Sequence, residues 1–217
     1  MDPGFWRERW ELGQTAWDQA APHPLLAQHW PSLGLAGGSG VFVPLCGASV
    51  DMVWLAEQGH RVVGVDVSPL AAERFFELVG LTPDVSTVDG FAVSTAGPYE
   101  FWCGDLFELP AEAVGDVAAI YDRASLVALP PDLRRRYAAH VTSLLPAATA
   151  FLLTFVYDPA EMDGPPFSVA PDEVGSLYGD GFEIELVADT DLLERDPGFA
   201  ARGPSWTREQ AHVLRPR

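Results

Sequence analysis

The run Arg61-Val62-Val63-Gly64-Val65-Asp66-Val67, followed directly by Ser68-Pro69, constrains this chain more than any other stretch. Its β-branched residues are apolar at consecutive positions, so both faces of the strand must be covered, as in parallel sheets. A parallel sheet needs a crossover between successive strands. Ser68-Pro69 starts one: a cap residue, then proline at the first helical position, with a helix expected to about Val79-Gly80.

The same grammar recurs along the chain. Val41-Phe42-Val43-Pro44-Leu45 is a short apolar run closed by the tight turn Cys46-Gly47-Ala48-Ser49, and a helix over 51–57 stops at Gly59. Strands are expected at 99–103, 117–121, 151–157, 182–187 and 210–214, with helices at 131–145 and 172–178. The segment 81–98 reads as a loop or irregular edge strand, and 188–204 as a loop. Near the start, Trp6, Trp10 and Trp17 fall at spacings of four and seven, one face of a helix. Strand, turn and helix alternate throughout, the signature of an α/β doubly wound sheet. At 217 residues this is a single expected domain, 1–217, with a cap segment at 1–37 and a core at 38–217.

Charge narrows the partners. Thirty-one acidic residues face 13 basic ones, a formal net charge of -18. That balance excludes the positive footprint of a nucleic-acid binder and docking on an anionic membrane. Every basic residue is arginine, so neither a Schiff-base lysine nor a P-loop lysine exists. No run approaches the ~18–20 apolar residues of a membrane span, and residues 1–9 lack the pattern of a secretory signal. Cytoplasmic location is expected, with Cys46 and Cys103 as two reduced thiols; a single long-range disulfide is the alternative. His23, His29, His60, His140 and His212 are scattered without ligand spacing, so no metal is expected.

Ligands of such sheets lie beyond the carboxyl ends of the strands. Those ends carry Leu45 to Ser49, Asp66, Gly104-Asp105 and Asp122-Arg123. The first turn holds one glycine, Gly47, where a dinucleotide fingerprint wants three, which disfavours an NAD-linked oxidoreductase. Asp66 stands 21 residues after Leu45, the spacing at which an acidic residue meets ribose hydroxyls; a plain strand terminus is the other reading. Asp105, with Leu106 beside it, can accept from an adenine amino group or simply close a turn. An adenosine ligand without phosphates fits this pattern better than NAD does, and S-adenosylmethionine is the expected ligand.

The residues also form a familiar set. Phe5-Trp6-Arg7-Glu8-Arg9-Trp10, Pro44-Leu45-Cys46-Gly47, Tyr121-Asp122-Arg123, Leu126-Val127-Ala128-Leu129 and Gly164-Pro165-Pro166-Phe167 together resemble the thiopurine S-methyltransferase family. The resemblance runs in order to about residue 187 and then thins. It implies a class I methyltransferase, Rossmann-like fold: a seven-stranded, mostly parallel sheet between helices, with one antiparallel strand near the C-terminus. It implies that Trp10 covers the cofactor, that the Leu45 backbone meets its methionine moiety, that Asp66 takes the place of a usual glutamate, and that Arg123 lies near cofactor and substrate.

Three positions depart from the family pattern. Ala48 replaces a lysine, Trp17-Asp18 replaces Phe-His at a substrate-facing position, and the C-terminal arginine has two candidates, Arg195 and Arg202. The expected activity is methyl transfer from S-adenosylmethionine to a small thiol or thione, giving S-adenosylhomocysteine. A metalloid oxyanion such as tellurite or selenite as acceptor, and a non-catalytic cofactor-binding protein, are the alternatives. Trp6, Trp17, Asp18, Arg123 and Phe167 are the expected acceptor contacts. Asp122 and Asp18 are the candidate proton acceptors, Asp122 otherwise orienting Arg123 or capping its turn. A monomer is expected.

Overall fold

The structure, a computed structural model, describes residues 3–15 and 17–217. Its contacts divide into two units, Met1–Tyr121 and Asp122–Arg217. The first begins with helices α1 (Pro3–Glu11) and α2 (Pro24–His29), then β1 (Gly40–Pro44), α3 (Val50–Glu57), β2 (Arg61–Asp66) and α4 (Pro69–Val79). Strands β3 (Asp84–Val88), β4 (Phe91–Ala96), β5 (Tyr99–Cys103) and β6 (Val117–Asp122) follow. They lie in the order β3-β4-β5-β2-β1-β6, with β1 parallel to β2 and β6, and β2 parallel to β5. The chain works outward from β1 through β2 to β5, then returns to the other side of β1. That reversal is where such a sheet leaves a crevice for a ligand.

Local chemistry sets these elements. All of β1 and all but the first residue of β2 are buried, which is why both read as unbroken apolar runs. Ser49 caps α3, its hydroxyl accepting from the Asp51 amide at 3.2 Å. Gly64 sits mid-strand because a Cβ there would lie 2.7 Å from Cys46 Sγ and 3.1 Å from Met52 Sδ. The absent side chain lets α3 and the turn before it press onto β2.

Two expectations are corrected in this unit. The first helix ends at Glu11, with Gly13 left-handed at φ 66, so Trp17 lies beyond it. Segment 81–98 is a hairpin, β3 antiparallel to β4 and β4 antiparallel to β5. Its turn is Asp89-Gly90, with φ of 47 and 86, the left-handed pair that a two-residue hairpin loop requires.

The second unit holds α5 (Pro131–Leu144), β7 (Thr149–Val156), α6 (Pro171–Tyr178), β8 (Phe182–Asp191), α7 (Leu192–Arg195), α8 (Pro197–Ala200) and β9 (Arg208–Pro216). The order is β7-β9-β8, with β9 antiparallel to both neighbours. Segment 188–204, expected as loop, instead extends β8 and then makes two single helical turns.

The fold class is α/β, as expected, with nine strands among the described residues where seven were expected. The hairpin at the β5 edge supplies the extra pair. Both cysteines are free thiols, Cys46 buried and Cys103 half-buried. Among the described residues, no helix is long and apolar enough to cross a membrane and no group of His, Cys, Asp or Glu can hold a metal ion.

Candidate active site

Three strand ends in the first unit converge on Asp66. The Cys46 amide continues the ladder to the Val65 carbonyl at 3.0 Å, and the next amide, Gly47, turns to Asp66 Oδ2 at 3.0 Å. The Ser68 amide reaches Oδ1 at 2.9 Å, and the Gly104 amide reaches the Asp66 carbonyl at 2.9 Å. The turn after β1 thus carries Leu45 at φ 46 and Gly47 at φ 55. Leu45 stores of order 1 kcal/mol there, since a left-handed backbone crowds its Cβ.

The carboxylate oxygens of Asp66 accept the Gly47 and Ser68 amides, the Val67 amide adds to these, and lone-pair capacity is left for a ligand hydroxyl. Burial pushes the Asp66 carboxyl up to about 6 against the amides of Ser68 and Gly47, and the charge of Asp18 pushes the same way. The group is ionised at neutral pH.

Aromatic rings lie over this turn. Trp10 is buried at 1% exposure, while Trp6 and Trp17 are half-buried. Trp17 meets Trp6 edge to face at 5.4 Å and Trp10 at 5.8 Å, so the cluster expected from spacing forms although Trp17 is off the helix. A Cβ on Gly47 would sit 3.4 Å from both Trp10 Cζ2 and Trp17 Nε1. Arg74 of α4 lies 5.2 Å from the Trp10 ring centroid, so that indole already faces a cation.

Past the ends of β2 and β5 opens a cavity of about 310 Å³, lined by Arg7 and Glu11 of α1, by Val67 to Leu70 after β2, and by Cys103 and Gly104 ending β5. Asp105 caps the short turn Leu106–Glu108, its Oδ1 accepting from the Phe107 amide at 3.0 Å. Leu106 is buried beneath it at 2% exposure. One carboxylate, a glycine cradle, exposed backbone and aromatic rings suit an adenosyl ligand. No lysine and no glycine-rich loop stands there to hold a pyrophosphate.

In the second unit Asp122 is buried at 3% exposure. Its Oδ2 accepts from the Tyr137 hydroxyl at 2.7 Å and its Oδ1 from the Leu126 amide at 3.1 Å. Burial pushes this carboxyl up to about 6 against those bonds. Arg123 follows, half-buried, before left-handed Ala124 at φ 61.

The Gly164-Pro165-Pro166-Phe167 turn has cis bonds into both prolines, and the Phe167 ring lies on Gly164, where a Cβ would come within 2.6 Å. The Tyr157 hydroxyl donates to the Pro166 carbonyl at 2.7 Å, and the Phe167 amide to the Val127 carbonyl at 2.6 Å. Arg202 donates to the Pro165 carbonyl and sits 5.5 Å from the Phe199 ring centroid. Arg195 is engaged elsewhere, by buried Glu209. Of the two C-terminal arginines, only Arg202 therefore contacts this turn.

Residues missed from sequence include Arg7, Glu11 and Asp51. Asp51, buried at 2% exposure, takes the His23 amide at 2.7 Å and the Tyr121 hydroxyl at 2.8 Å. It thereby ties the cap segment to the end of β6. Arg7 and Glu11 are one helical turn apart, a spacing that groups them on one face but does not say what that face covers.

Reversing strand order, a glycine turn after β1 and an acidic end to β2 fit an adenosyl-binding sheet, and the family match below makes the class the S-adenosylmethionine-dependent methyltransferases. The solved 1,6-didemethyltoxoflavin-N1-methyltransferase of Burkholderia thailandensis, with 1,6-didemethyltoxoflavin and S-adenosylhomocysteine bound in it, shares this fold. The TM-score is 0.65 at 20% identity, over 99% of this chain and 87% of that one. The family model described as Thiopurine S-methyltransferase (TPMT) matches residues 1–217. A thiopurine S-methyltransferase of Bordetella petrii is 48% identical over 204 residues, 94% of this chain and 93% of the relative. One of Pseudomonas entomophila is 45% identical over 215 residues, 99% of each. The chain belongs to the thiopurine S-methyltransferase family.

Proposed function

We propose that this enzyme methylates the sulfur of a small aromatic thiol or thione. The observation that carries the reading is the indole cluster of Trp6, Trp10 and Trp17 over the Gly47 turn. A thiolate and a sulfonium lose their charges as they react, so a dry aromatic wall favours their transition state relative to water. When bound, S-adenosylmethionine supplies a methyl group already activated for in-line displacement.

The chain's own work is then binding, orientation and exclusion of water. Asp66 receives the ribose hydroxyls on its carboxylate oxygens. The Leu45 and Gly47 backbone holds the methionine half, and Asp105 with Leu106 the adenine. Trp10 closes the cofactor side of the cluster, and Trp6, Trp17 and Asp18 face the acceptor.

In the second unit, Arg123 holds an anionic sulfur acceptor or the cofactor carboxylate, always charged and with a planar fork of donors. Asp122 serves by fixing the turn that presents Arg123, through Leu126 and Tyr137. Phe167, with Arg202 bonded to its turn, is the second unit's candidate acceptor contact. An acidic thiol ionises near neutrality, so this scheme needs no strong general base.

The test is to incubate purified protein with S-adenosylmethionine and a panel of aromatic thiols, thiones, alkyl thiols and amines, measuring S-adenosylhomocysteine and the methylated product. Thioether formation from aromatic sulfur acceptors, reduced at least tenfold in Arg123→Ala, is expected. Turnover of amines alone, or none with any thiol, would overturn the reading.

A further inference from the structure

The cavity beside Asp66 has a wall that the strand-end rule does not predict. Its floor is the backbone after β2 and the end of β5, while its outer side is α1, through Arg7 and Glu11. Arg7 is exposed on its helix, yet its Nε donates to the Val67 carbonyl at 3.2 Å, sixty residues away in sequence. Val67 is the residue immediately after Asp66. A guanidinium bonded through an edge nitrogen keeps its flat faces free for stacking. The Arg7 charge is also felt at Cys103 across the cavity, where it draws the thiol down against burial and the charge of Asp66, which together leave that thiol raised.

We infer that Arg7 is a cofactor-positioning residue. Its guanidinium plane serves the adenine of the adenosyl ligand, and its bond to the Val67 carbonyl latches α1 over the cavity. This rests on the cofactor site proposed above. A purine is a flat, electron-rich ring, and a planar cation is the side chain that stacks on it with both dispersion and charge. Because the latch runs to the residue next to Asp66, it couples closure of α1 to the adenosyl half of the ligand. Trp10, one helical turn further along α1, reports that closure.

The test compares wild type, Arg7→Ala and Arg7→Lys by calorimetric titration with S-adenosylhomocysteine and with 5′-methylthioadenosine, which keeps the adenosyl half and lacks the amino acid. Arg7→Ala is expected to weaken both ligands by a similar factor, about threefold to thirtyfold, the range of a stacked cation. Arg7→Lys, which keeps charge but loses the plane, should recover only part of this. Stopped-flow tryptophan fluorescence should place the loss in faster release of S-adenosylhomocysteine. Melting temperatures should fall by no more than a few degrees, because Arg7 is exposed and its loss removes one surface hydrogen bond.

Wild-type affinity in Arg7→Ala, or a loss confined to S-adenosylhomocysteine, would overturn the assignment of Arg7 while leaving the cofactor site standing. Failure of the wild-type protein to bind either ligand would instead overturn the cofactor site, and this inference with it.

Discussion

At the scale of single residues, Asp66 shows what its strand position decides and what only packing adds. A carboxylate at the end of a buried strand is visible in sequence; that it takes the Gly47 and Ser68 amides and sits near pKa 6 is not, because desolvation depends on what covers it. The pH dependence of binding follows. Ribose hydroxyls donate to the ionised group, so the binding form is the deprotonated one and affinity rises with pH through the raised pKa. S-adenosylhomocysteine affinity should be level above pH 7 and fall below 6. The steepest slope would be about tenfold per pH unit, and the fall would stop once the ~1–3 kcal/mol of a lost buried hydrogen bond is gone. Asp66→Ala should bind more weakly than wild type above the raised pKa, converge on it as the pH falls, and show no such step. Titrations from pH 5 to 8 check both, and a pH-independent wild type would remove Asp66 from the ribose site. Arg7 was not legible because it projects from a helix, and nothing in a helical repeat says which distant backbone it will meet.

Among the elements, the parallel strands were readable because consecutive apolar residues leave few other folds, whereas the β3–β4 hairpin was not. Its Asp89-Gly90 pair is a hairpin signal, but β3 is exposed at all five positions and carries no burial pattern to support it. The hairpin is more than an edge. It delivers Phe91 onto the α-carbon face of Gly104, edge to face with Trp102 at 5.6 Å, directly beneath the end of β5 that lines the cavity. A side chain at position 104 would overlap that ring. Gly104→Ala should therefore cost about 1–3 kcal/mol in urea unfolding, the range for overpacking a core, and weaken S-adenosylhomocysteine by displacing the cavity floor. Equal stability in variant and parent would mean the ring yields freely and the hairpin has no part in shaping the site. In the C-terminal stretch the strands over 182–187 and 210–214 were legible, but the extension of β8 to Asp191 was not, because its bulge between Leu186 and Ala188 breaks the period on which a strand assignment rests.

Across the whole molecule the excess of acid matters more than any one ion pair. Arg61, Arg134, Arg135, Arg195, Arg208 and Arg215 hold carboxylates, but with 31 acids against 13 arginines much of the negative charge is left uncompensated. The two forms of the cofactor feel that field differently. S-adenosylmethionine carries a sulfonium and an ammonium against one carboxylate, a net positive charge, while S-adenosylhomocysteine is a neutral zwitterion. A protein at -18 attracts the first and is indifferent to the second. Screening lengths shrink from roughly 30 Å at 0.01 M salt to about 8 Å at 0.15 M, so the long-range part of the attraction is lost within an accessible salt range. Parallel titrations at 10 mM and 300 mM sodium chloride should show S-adenosylmethionine weakening several-fold while S-adenosylhomocysteine stays nearly constant. The ratio of substrate to product affinity would then be highest at low salt, and the same field that gathers the charged cofactor would not hold the spent one. If both ligands weaken together, salt is acting on the site itself, through Asp66 or Arg123, and the global charge has no part in cofactor exchange.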